Sequence, residues 1–85
     1  SMSKTSDRHE AFYQEFIALL NKHLEKNSAA EILAVASNCV GKLIAMQDQA
    51  NMTPERAMQI VFANIEEGNQ QSVNELLSMP TEGSA

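Results

Sequence analysis

The strongest constraint on the fold comes from residues 29–48, which are apolar on nearly every side when drawn as a helix. Ser28 and Glu31 stand three residues apart at the start of this segment and form the pattern of a capping box. Glu31, Asn38 and Lys42 are its main polar interruptions. A helix that is hydrophobic on all sides lies inside a bundle or at an interface. The sequence therefore predicts a helix over 29–48 that other helices must cover.

A second helix is predicted before it, over residues 7–26. Asp7 is expected to cap its amino end, and Asn27 suits a helix terminus because asparagine tolerates the left-handed conformation. The apolar residues recur four apart, as on one face of an amphipathic helix. They are Phe12, Phe16, Leu20 and Leu24.

A third helix is predicted over 54–67, after a polar turn at 47–51. Thr53 followed by Pro54 is a strong start signal, because threonine caps a helix and proline is tolerated at its first position. Gly68 favours a stop there. The apolar pattern continues through Leu77, so residues 69–78 form either a short fourth helix or an extension of the third. The break at Gly68 is the preferred interpretation.

Together these segments predict an all-α fold, a compact bundle of three helices (7–26, 29–48 and 54–67) completed by residues 69–78. Only four aromatic residues are present, so Leu, Ile, Val, Ala and Met must fill the core, which favours helix packing over a sheet. Residues 7–78 are expected to form one domain. Residues 1–6 are expected to be disordered, with Ser1 before Met2 interpreted as a remnant of a removed tag, and 79–85 to be a flexible tail.

The charge distribution argues against nucleic acid and membranes as partners. The net charge is −5, and from residue 28 onward only Lys42 and Arg56 oppose seven acidic residues. No uncharged apolar stretch reaches the length of a membrane span. Cys39 has no second cysteine to pair with and no signal peptide is apparent, so a reducing cytoplasm is the expected location.

Catalytic, metal and cofactor sites are not predicted. His9 and His23 lie fourteen residues apart, without the further ligands that a metal needs. Cys39 is expected to be a buried small hydrophobe, because no base lies near it in the sequence. Residues 29–48 and 54–67 could form a weak helix-turn-helix. However, the second helix would offer DNA only Arg56 and Gln59 near its start, against several glutamates.

Small residues form one edge of the second predicted helix: Ala30, Ala34, Ser37, Gly41 and Ala45. Glycine inside a helix costs about 1 kcal/mol relative to alanine, and close approach of another helix is the usual compensation. The sequence therefore predicts a two-fold homodimer along this edge. The alternative is a monomer closed by residues 69–78. The predicted interface comprises Ala30, Ala34, Ser37, Asn38, Gly41, Ala45, Met46 and Met58.

These features favour a non-enzymatic homodimeric regulator that binds and inhibits another protein, with no cofactor. An anti-activator that masks the oligomerisation helices of a transcription factor is one concrete form. The alternatives are the weak DNA-binding regulator and a helical dimer that holds a small molecule near Tyr13, Asn38 and Lys42.

The segments VGKLIAMQDQ (40–49) and MTPERAMQIVFANIEEGN (52–69) resemble small uncharacterised all-helical proteins of proteobacteria and their phages. The resemblance covers about the C-terminal half of the chain. Its motifs are capping and packing signals, so it implies a helical fold and no particular activity.

Overall fold

The computed structural model describes residues 4–79, and over that range the protein is all-α. Its three helices are α1 (Lys4–His23), α2 (Ala29–Ala45) and α3 (Pro54–Ser78), and residues 4–79 contain no strand. The chain divides into two units, Ser1–Leu43 and Ile44–Ala85. Of the segments predicted to be disordered or flexible, residues 1–3 and 80–85 lie outside the described range.

Helix α1 is shifted toward the amino terminus relative to the predicted 7–26. It begins at Lys4, so the prediction that Asp7 caps it is wrong; Asp7 lies in the first turn, where a carboxylate favours the positive end of the helix dipole. The α-helix ends at His23 because Asn27 closes a turn behind it. The backbone N–H and the side-chain amide of Asn27 each donate to the carbonyl of His23 at 3.0 Å.

The capping box at the start of α2 is confirmed. The N–H of Glu31 donates to Ser28 Oγ at 3.1 Å, and the N–H of Ser28 donates to Glu31 Oε1 at 2.8 Å. Two amides that the helix leaves without a helical partner are thereby satisfied by side chains.

The carboxyl end of α2 is three residues earlier than predicted, because Asp48 organises the polar turn that follows. The N–H of Ala50 donates to Asp48 Oδ1 at 3.0 Å, and Asn51 Nδ2 donates to Asp48 Oδ2 at 2.8 Å. A short acidic side chain that binds its own downstream backbone competes with helix continuation. The turn predicted at 47–51 is confirmed.

Helix α3 begins as predicted and continues further. The N–H of Arg56 donates to Thr53 Oγ1 at 3.0 Å, and Pro54 occupies the first turn. The predicted break at Gly68 is wrong, because α3 is one continuous helix of 25 residues, Pro54–Ser78, that includes Gly68. Glycine in a helix interior costs only about 1 kcal/mol relative to alanine. The apolar pattern continues beyond Gly68, and the side-chain amide of Gln70 donates to Asn74 Oδ1 at 3.0 Å within the same helix.

The one well-buried side chain among residues 7–79 lies at the start of α3. Ala57 is 6% exposed, and Ile44, Met52 and Val61 in the same unit are half-buried. Met52 precedes the Thr53 cap and Ala57 is the fourth helical residue after it, which are the two positions of a hydrophobic staple. The burial of this pair is what a hydrophobic staple requires.

Replacing Gly68 with alanine is expected to stabilise the fold by about 0.5–1 kcal/mol, because a helical glycine is flexible in the unfolded chain. A Cβ built at Gly68 meets no atom within 4 Å, so no clash opposes the gain. Urea unfolding followed by circular dichroism measures the change. The reciprocal control, Ala63→Gly on the same helix, should destabilise by a similar amount. Destabilisation by Gly68→Ala would contradict this account of α3.

Candidate functional site

The apolar surface of α2 is the most distinctive feature of the described chain. None of the seventeen residues of α2 is buried. Leu33 is 68% exposed and Val35 is 65% exposed. Burial of a leucine or valine side chain is worth about 1.5–3 kcal/mol relative to exposure. No residue of this apolar helix is therefore buried in the single chain.

The small-residue edge runs along one side of α2. At about 100° per residue, its five members fall within a sector of about 80°, and all of them are exposed. A Cβ built at Gly41 meets no atom of the described residues within 4 Å. Met46 is 75% exposed and follows α2, whereas Met58 is 39% exposed and lies on α3.

A groove of about 400 Å³ lies between α1 and α2, within the first unit. We call it the α1–α2 groove. Its apolar walls comprise Phe16, Leu19 and Leu20 from α1 and Ile32, Val35 and Cys39 from α2. The helical periodicity places these α2 residues roughly opposite the small-residue edge. The two surfaces of α2 are therefore separate.

The polar side chains of the groove serve mainly to hold the α1–α2 connection. They are His23, Asn27 and Glu31. The Asn27 amide is bound to the His23 carbonyl, and the Glu31 carboxylate accepts the Ser28 N–H. Hydrogen bonds from the Ser28 backbone and side chain lower the pKa of Glu31 below its ordinary range. The groove is therefore mainly apolar, and the polar side chains of Asn27 and Glu31 at one end are held by hydrogen bonds to the backbone of the α1–α2 connection.

Sequence reasoning did not predict this groove, and it placed Cys39 wrongly. Cys39 was expected to be buried, but it is exposed and lines the groove. Its apolar neighbours on α2 were expected only as part of a helix that is apolar on nearly every side, and whether α1 covers them depends on the angle between the helices. No local pattern in either helix specifies that angle.

The residues of the alternative functions do not converge on the groove. Tyr13, Asn38 and Lys42, predicted to surround a small molecule, are not among its lining residues. The guanidinium of Arg56, proposed as a DNA contact, donates to Gln59 Oε1 at 3.3 Å, so these exposed side chains bind each other. Among the described residues, no three His, Cys, Asp or Glu side chains come together as a potential metal site.

Comparison with known proteins adds no relative: no protein-family model, curated protein or solved structure matches the chain. The resemblance carried by 40–49 and 52–69 thus stays a prediction. None of the described helices has the length and apolar character needed to cross a bilayer.

The capping box should make the stability of the fold depend on pH. The pKa of Glu31 is lowered in the folded state, so its contribution is fully present above the unfolded value of about 4.3 and is lost as pH falls through the folded pKa. Thermal unfolding of the parent protein and of Glu31→Gln should therefore differ near neutral pH. The difference should shrink in acid.

The variant Ser28→Ala is the control, because it removes one partner of Glu31 and should also reduce the pH dependence. A difference between the parent and Glu31→Gln that stays constant from neutral to strongly acidic pH would contradict the role given to this carboxylate.

Proposed function

We propose that this chain is a non-enzymatic helical protein–protein interaction module that works as a homodimer and regulates another protein by binding it. The observation that carries the proposal is the uncovered surface of α2, none of whose residues is buried. Large contiguous apolar patches are uncommon on monomers and mark interaction sites. A chain of this size also gains little stability from its own core, so association is a common supplement.

The small-residue edge is the proposed contact between the two copies. Alanine and glycine side chains let helix backbones approach closely, and a two-fold axis brings the same edge of each copy together. The open space around Gly41 supports this assignment, because no described residue of its own chain occupies it. Asn38, Met46 and Met58 would lie at the margin of this contact. A compact bundle would then form on association.

The proposed regulatory role is supported by the apolar character of the α2 surface outside the small-residue edge. The net charge of −5 disfavours nucleic acid, whereas an apolar helix with few charges suits the helices of another protein. Such a module inhibits its partner by covering the helices that the partner needs for its own assembly. An anti-activator of a transcription factor is the concrete form that we propose.

A small-molecule binder is the second candidate, supported by the α1–α2 groove. Its volume of about 400 Å³ falls in the range of ligand sites. Two of its three polar side chains already bind the connection between the helices, so an apolar ligand would suit it better than a polar one. An apolar molecule that co-purifies with the protein at one per chain would favour this candidate.

Light scattering after size-exclusion chromatography should give the mass of a dimer at tens of micromolar protein. Gly41→Leu should convert the dimer to a monomer, since it puts a bulky side chain into the small-residue edge. Gly68→Leu is the matched control: it places the same side chain at another helical glycine with open surroundings and should stay dimeric. A monomeric parent protein would refute the proposed dimer.

Affinity capture from native cells should recover one protein in a stoichiometric amount, and Leu33→Glu should abolish its recovery. Leu33 is the most exposed of the large apolar residues of α2, so a charge there opposes burial by a partner. Gln71→Glu adds the same charge to the exposed surface of α3 and is the control. Equal recovery with both variants would show that α2 does not contact the captured protein.

A further inference from the structure

We draw no further inference here: the strongest candidate, the exposed apolar face of α3 that carries Phe62, Ile65 and Leu76, is a helix face for which nothing in the structure shows what covers it.

Discussion

The removal of apolar α2 surface from water is the constraint on which the rest of this structure depends. Local hydrogen bonds define where the helices begin and end, but they contribute about 0.5–1.5 kcal/mol each. A large apolar side chain contributes more when it is fully buried. Among residues 7–79 no large apolar side chain is fully buried: only the small Ala57 is buried, at 6% exposure, while Leu33 and Val35 remain largely exposed. The energy available from burial is therefore mostly unused by one copy, and this is the physical reason for expecting a partner.

The helix starts could be predicted from the sequence because each depends on a few adjacent residues. Ser28 and Glu31 satisfy each other's amides across three residues, and Thr53 does the same for Arg56. Such contacts form whatever the rest of the chain does, since the atoms involved are neighbours once the first turn forms. The all-α class and the start of α2 and α3 follow from these local interactions.

The helix ends were predicted less well, because there two local preferences of similar size compete. At Asp48 the side chain binds the downstream backbone and forms a turn, so α2 stops at Ala45 even though the apolar pattern reaches Met46. At Gly68 the loss from glycine is small, and the helix continues. In both cases the helix and the competing turn differ in free energy by roughly 1 kcal/mol. The residue type alone does not decide which of the two forms. The groove is a harder case, because it depends on an interhelical angle and not on any local motif.

Helix α2 has two separate surfaces on different sides, and none of its residues is buried in the single chain. Its small-residue edge and its groove-lining face, which includes Ile32 and Cys39, point in opposite directions. A helix with a single apolar face is satisfied by one neighbour, whereas two opposed faces require neighbours on both sides. In the groove α1 supplies one wall but does not close it, and the small-residue edge is open. The proposed homodimer would cover the small-residue edge, whereas the groove-lining face keeps its partial cover from α1 of the same chain.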